Sequence, residues 1–249
     1  PNRWSDKVPS REMTVEEIQE FITAFGKTAK LLKDAGVDGV EIHAVHEGYL
    51  LDQFTLKYVN QRTDEYGGDL MRRARLLFEV VEAIKLKCGD DFPIILRISG
   101  SEKIPGGNTI EDTLQLIPEL EKRGVDAFEV SGGSQYELPN KIMPSHGEEC
   151  ATNLKEAFRI KEISHVPVLL VGKINDAKLA RSLVEEDKVD VLYWVVLYLQ
   201  IQILSRRQKK IKMHKLHLVQ DALQDVLDNK QSVYAELALS IHSVVMKWK

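Results

Sequence analysis

The chain has 249 residues, 43% of them apolar, and a formal net charge of −4, an ordinary globular composition that excludes a basic nucleic-acid binder and a disordered chain. Its two cysteines, Cys88 and Cys150, lie far apart with no C-x-x-C spacing, which fits a reducing, cytoplasmic compartment and argues against a metal site built from this chain. The most apolar run, Val191 to Leu204, is interrupted by Gln200 and Gln202 and falls short of a membrane span, and no signal peptide opens the chain.

In chain order, Thr14-Val15-Glu16-Glu17 reads as a capping box that opens a helix. Apolar residues at Ile18, Phe21, Ile22, Phe25, Ala29 and Leu32 follow helical spacing, and Asp34-Ala35-Gly36 stops the helix. A strand is predicted at Val37–His43, followed by a long polar connection and a helix from Leu70 to Lys87. The alternation then continues with strand Phe92–Ser99, helix Ile110 to Lys122 and strand Val125–Ser131. Helix Asn153 to Ile163, strand Val166–Val171, helix Asp176 to Glu185 and strand Val189–Leu192 complete it. Strands alternating with helices predict a parallel α/β sheet. About five strands are visible where a closed (β/α)8 barrel needs eight.

Chemistry-bearing residues concentrate between Val40 and Arg75, in VEIHAVHEGYLLDQFTLKYVNQRTDEYGGDLMRRAR. A βα connection this long and polar is where an α/β barrel carries its reacting groups. The run resembles the signature of the flavin-dependent old yellow enzyme family, roughly V-E-I-H-x-x-H-G-Y-L-x-x-Q-F-x-x-x-x-N-x-R-x-D-x-Y-G-G. The Glu47-Gly48-Tyr49 step and the Gly67-Gly68-Asp69 ending resemble its iron–sulfur branch, the 2-enoate reductases, 2,4-dienoyl-CoA reductases and bile-acid-inducible flavin oxidoreductases. Counted from His43, Tyr49 falls one residue later than in the common form, with Glu47 as the added residue.

The resemblance implies an incomplete (β/α)8 TIM barrel over residues 1–192, FMN as cofactor and NADH as reductant. Tyr49 matches the proton-donor position, and a phenol stays protonated at neutral pH while it can still donate to a carbanion. His43 and His46 match the pair that hydrogen-bonds the substrate carbonyl. Arg97, a charge in the otherwise buried run Ile94-Ile95-Leu96-Arg97-Ile98-Ser99, needs an anionic partner; in the family it lies by the flavin N1–C2 edge, the alternative being an internal salt bridge. Gly172 and Lys173 match the flavin phosphate position, before a helix expected at Asp176. Tyr136 stands in Gly133-Ser134-Gln135-Tyr136-Glu137, where the dienoyl-CoA branch reads G-x-x-W-H-E, and is expected to line the substrate pocket. Arg62, Asp64, Tyr66, Gly67, Gly68 and Arg75 are assigned to bracing the loop. The implied substrate is a small enoate or enoyl-CoA, with no nucleic acid or membrane partner and a homo-oligomeric parent.

Two departures bear on the ends. The family's barrel starts well before the histidine-bearing strand, so the amino terminus reads as truncated. Beyond Gly172 the sequence contains neither Gly nor Pro, and from Tyr193 onward nine Lys and Arg stand against four Asp and Glu. In back-translation, the codons of Trp194 and Val195 force a Gly in a shifted frame. That frame also permits the family's Gly-Arg and Ala-Asp-Pro, and a C-x-x-C-x-x-x-C of iron–sulfur type further on. Residues 193–249 therefore read as a frameshifted tail outside the family, and a 4Fe–4S cluster and FAD are expected only in a full-length parent. A helical tail free of Gly and Pro is the other reading. As written, the tail's WVVLYLQIQIL run is β-prone and aggregation-prone, and an open sheet would have two unpaired edges.

Overall fold

The computed structural model describes residues 11–45, 49–132, 149–174, 177–193 and 241–242. Helix α1 (Val15–Asp34) opens on the expected capping box: the Thr14 hydroxyl accepts from the Glu17 N–H at 3.2 Å, and the Glu17 carboxylate accepts from the Thr14 N–H at 2.8 Å. Its Ile18, Ile22, Phe25 and Ala29 are buried. Strand β1 (Val40–His43) follows, then a short helix α2 (Leu50–Thr55) that the sequence pattern did not suggest.

The single helix expected from Leu70 divides at Ala74 into α3 (Leu70–Arg73) and α4 (Arg75–Cys88). The division falls where the buried Arg73 turns inward, donating to the carbonyls of Thr55 at 2.9 Å and Gly68 at 2.6 Å. Helices α1 and α4 pack closely at Gly26, where a Cβ would lie 2.8 Å from the Ala83 carbonyl oxygen. Strand β2 (Ile94–Ser99), helix α5 (Ile110–Lys122), which passes through Pro118, and strand β3 (Ala127–Ser131) continue the alternation. Helix α6 (Leu154–Lys161), strand β4 (Val168–Val171), helix α7 (Ala177–Glu185) and strand β5 (Val191–Tyr193) extend it.

Strands β1 to β5 lie in sequence order and are all parallel, so the fold is α/β, a consecutive part of a (β/α)8 barrel. A two-residue strand, β6 (Ile241–His242), pairs antiparallel with β1, setting His242 opposite Glu41 and Ile241 opposite Ile42. The edge of β1 is thus paired at Glu41 and Ile42, and β5 and β6 form the two ends of the sheet among the described residues; exposed backbone groups on an edge strand are satisfied by whatever extended segment reaches them.

Alternation along the strands separates two faces. Ile42, Leu96, Ile98, Phe128, Val130, Val168 and Leu170 face the helices and join α1, α4 and α5 in one apolar core. The opposite face carries Glu41 and His43 on β1, Arg97 and Ser99 on β2, and Glu129 and Ser131 on β3, flanked by Leu169 and Val171 on β4. Polar groups therefore collect on the side that a barrel encloses. Among the described residues no helix is long and apolar enough to cross a membrane.

Candidate functional site

At the carboxyl end of β1 the chain makes an unusual turn. Val45, buried and β-branched, has φ 56°, a left-handed conformation that such a residue adopts at a cost on the order of 1–3 kcal/mol. The turn is held because the Ala44 N–H donates to the Arg97 carbonyl at 2.9 Å and the Val45 carbonyl accepts from the Ser99 N–H at 2.9 Å. It leads to Tyr49, whose ring lies 4.8 Å, centroid to centroid, from that of His43.

Tyr49 is the N-cap of α2, and its backbone N–H donates to the fully buried Asp52 carboxylate at 3.0 Å. Asp52 went unnoticed in the sequence, although an acidic residue three positions after a helix start is a capping signal. His46 and Tyr136 lie outside the described residues.

In the strand register Arg97 lies beside His43 on one side and Glu129 on the other. Its guanidinium pairs with the fully buried Glu129 carboxylate at 3.3 Å, so an internal partner exists that the sequence did not identify. Glu41 lies on the same side of the sheet as Glu129, the two strands flanking β2. Burial, then the neighbouring Glu129 carboxyl, push Glu41 up to about 8, against the pull of Arg97.

Among the described residues, the buried Arg97 Nε, Ser99 Oγ and Asn153 Oδ1 of this region have no hydrogen-bond partner. Such atoms are costly unless something satisfies them. Their position at the carboxyl ends of the strands suits a polar group bound there, and the Arg97 N–H is a suitable donor to an electron-rich heterocycle edge.

Gly172 has φ 129°, and a Cβ on it would lie 2.8 Å from Asn153 Nδ2; that amide donates to the Val171 carbonyl at 2.9 Å. Gly132, at the end of β3, is closed to a Cβ by Asn153 Oδ1 at 2.7 Å. Gly172 is thus required by its own backbone conformation, independently of any ligand, whereas a Cβ at Gly132 would have to displace the buried Asn153 side chain. Lys173 has φ 47°, and its carbonyl accepts from the Ala151 N–H at 3.2 Å.

The loop after α2 is braced as expected. Arg62 pairs with Asp64 and donates to the Met13 carbonyl at 2.7 Å. Asn60 donates to the carbonyls of Phe54 and Tyr66, each at 2.7 Å. The fully buried Tyr66 donates through its hydroxyl to Glu79 at 2.7 Å, and burial followed by Glu79 raises Tyr66 to about 12. Among the described residues no cluster of His, Cys, Asp and Glu is arranged to hold a metal ion.

A parallel α/β sheet with Tyr, His and Arg gathered at the carboxyl ends of its strands has the form of a barrel oxidoreductase. The profile of the NADH:flavin oxidoreductase / NADH oxidase family matches residues 2–194, and the chain belongs to that family. It is 37% identical to a cinnamate reductase of Clostridium sporogenes over 77% of this chain and 31% of that protein. With an NADH oxidase of Thermoanaerobacter brockii it shares 38% identity over 72% of this chain and 27% of the relative. Among solved structures, a 2-naphthoyl-CoA reductase in complex with 2-naphthoyl-CoA superposes with a TM-score of 0.67 at 31% identity, covering 74% of this chain and 28% of that one. The chain therefore spans about a third of the length of these relatives, and its fold is that of the FMN- and NADH-dependent oxidoreductases.

Proposed function

We propose that this chain is the central part of an FMN- and NADH-dependent reductase of activated C=C bonds, of the 2-enoate or enoyl-CoA type, within the iron–sulfur branch. The observation that carries the reading is the packing of Tyr49 on His43 beside Arg97, at the carboxyl ends of β1 and β2. The relatives named for reducing cinnamate and 2-naphthoyl-CoA support an α,β-unsaturated acid or thioester as substrate.

Bound FMN would supply the hydride, replenished from NADH. Arg97 would hold the flavin by its electron-rich edge, the Gly172 backbone with Lys173 would meet its phosphate, and Tyr136 would line the pocket. His43, with His46, would hydrogen-bond the substrate carbonyl and stabilise the charge that develops on it. Tyr49 would hold the proton destined for the α-carbon, with Asp52 fixing the backbone from which the phenol projects. A 4Fe–4S cluster, FAD and homo-oligomeric assembly belong to the full-length parent in this reading, and residues 193–249 to a tail outside the flavin-binding unit.

The test is FMN titration of the full chain, followed by anaerobic addition of NADH and cinnamate. Saturable FMN binding is expected of this chain and cinnamate reduction of the full-length parent, this chain alone being read as inactive. In that parent Tyr49→Phe should leave FMN affinity and reduction by NADH intact and slow reduction of the alkene about 10²- to 10⁴-fold. A chain that binds no FMN would instead be the non-catalytic product of a decayed or frameshifted gene.

A further inference from the structure

Beneath the site lie two carboxyl groups that the proposed reaction does not itself use. Glu41 is 5% exposed, Glu129 fully buried, and both face Arg97 from β1 and β3 across the intervening β2. Two ionised carboxylates against one guanidinium would leave an uncompensated negative charge in a buried place, an arrangement that proteins avoid by binding a proton.

Among the described strand residues on that face, Arg97 is the one arginine or lysine. Strand β1 adds His43 two residues beyond Glu41, β2 adds Ile95 and Ser99, β3 adds Ala127 and Ser131, and β4 adds Leu169 and Val171. Strand β6 places His242 opposite Glu41, and β5 places Tyr193 opposite Val171, in the register.

We propose that Glu41 and Glu129 share a single proton at neutral pH and act through Arg97 as positioning residues, holding the guanidinium with one net negative charge. Arg97 is then fixed in place by a partner of matching charge, while its Nε–H stays available to an acceptor seated on the strand ends. Loss of the shared proton would convert a neutral cluster into a negative one directly below that acceptor. Binding of an electron-rich group would weaken accordingly. The elevated proton affinity of Glu41, which comes first from burial and then from Glu129, agrees with this geometry. The part of the inference that concerns the bound group rests on the flavin reading of Arg97; the shared proton does not.

Two measurements on the full chain separate the two. The first is a pH titration of the chain labelled with ¹³C at the glutamate carboxyl carbons. One glutamate resonance should titrate well above the ordinary carboxylate range, vanish in Glu41→Gln, move to a lower midpoint in Glu129→Gln and persist in His242→Asn. Complete titration of every glutamate in the ordinary acid range would overturn the shared proton.

The second is FMN affinity as a function of pH, read by quenching of flavin fluorescence. Between pH 7 and 9 the affinity of the unaltered chain should fall roughly three- to tenfold, the effect of one added charge at short range in a partly screened interior. In Glu41→Gln the same interval should be flat, and in Glu129→Gln the fall should move to lower pH. An equal slope in all three would overturn the coupling through Arg97. Absence of FMN binding at every pH would sink the flavin reading and the coupling with it, and the carboxyl titration would still decide the shared proton.

Discussion

Substituting Gly67 by alanine tests the loop that delivers the chain from the site into α3 and α4. An alanine Cβ would stand 2.0 Å from the Arg62 carbonyl oxygen and 2.5 Å from its carbonyl carbon, where Cβ contacts under 3.0 Å essentially never occur. The obstacle is backbone, so no side-chain rotation relieves it, and the Arg62 peptide must retreat by about 1 Å. That peptide is held from several sides: the Arg62 N–H donates to Asn60 Oδ1 at 3.0 Å, the guanidinium to the Met13 carbonyl at 2.7 Å, and the Gly67 N–H to the Asp64 carbonyl at 3.2 Å. Each such bond contributes about 1 kcal/mol net. Losing two or three, with residual strain, should cost about 3–5 kcal/mol.

Gly36→Ala and Gly68→Ala provide the comparison. Gly36 has φ 86° with nothing within 4 Å of a Cβ, and Gly68 has φ 101° with only the flexible Arg72 side chain nearby, at 3.8 Å. Each should cost only the left-handed backbone penalty of roughly 1–2 kcal/mol. Urea unfolding of the three variants, followed by far-UV circular dichroism, gives the ranking. A Gly67→Ala variant no less stable than Gly36→Ala would refute the reasoning.

The proton on Glu41 has a consequence for stability. A carboxyl raised on folding from 4.5 to about 8 binds its proton more tightly folded than unfolded, so its contribution is most favourable below pH 4.5 and declines as pH rises to about 8. The decline is on the order of 4 kcal/mol. Urea midpoints measured at pH 5 and pH 9 should therefore diverge in the unaltered chain and converge in Glu41→Gln. At the opposite end of the sheet, Lys85 donates to the carbonyls of Asp90 and Phe92 at 2.9 and 3.0 Å and to Asp126 at 2.8 Å, and Asp126 also accepts from the Ile94 N–H at 2.8 Å. The Lys85 side chain is 9% exposed and that of Asp126 45%, so removing the acid strands a buried cation while removing the base leaves an acid that water can reach. Asp126→Ala is expected to cost about 3–5 kcal/mol and Lys85→Met less; the reverse order in thermal unfolding would contradict the asymmetry.

Local signals carried most of the architecture. The capping box at Thr14 and Glu17, the helical spacing from Ile18 to Ala29 and the apolar strand cores all appear where short-range physics places them, because caps and amphipathic periods are satisfied within one element. The parallel order of β1 to β5 followed from the βα alternation. His43 and Tyr49 could be singled out from the family motif and Arg97 as a charge in an otherwise buried strand, and the structure sets them side by side; His46 and Tyr136, named from the family resemblance, stand outside the described residues.

What the sequence determined by itself was the type of each main element, the face each strand residue takes and the family motif around Tyr49. Tertiary structure decided the rest. The division of the helix at Ala74 depends on where the Arg73 side chain finds carbonyls to bind, and the strained Val45 on two hydrogen bonds reaching across to β2. Asn153 takes its meaning from standing between Gly132 and Gly172. Glu41 and Glu129 belong to strands that do not pair, 88 positions apart in the sequence, and come to the same side of one sheet, either side of β2, only once β1, β2 and β3 assemble. Strand periodicity tells which side of a sheet a residue faces, but twist and curvature, properties of the assembled sheet, choose its partners across that side.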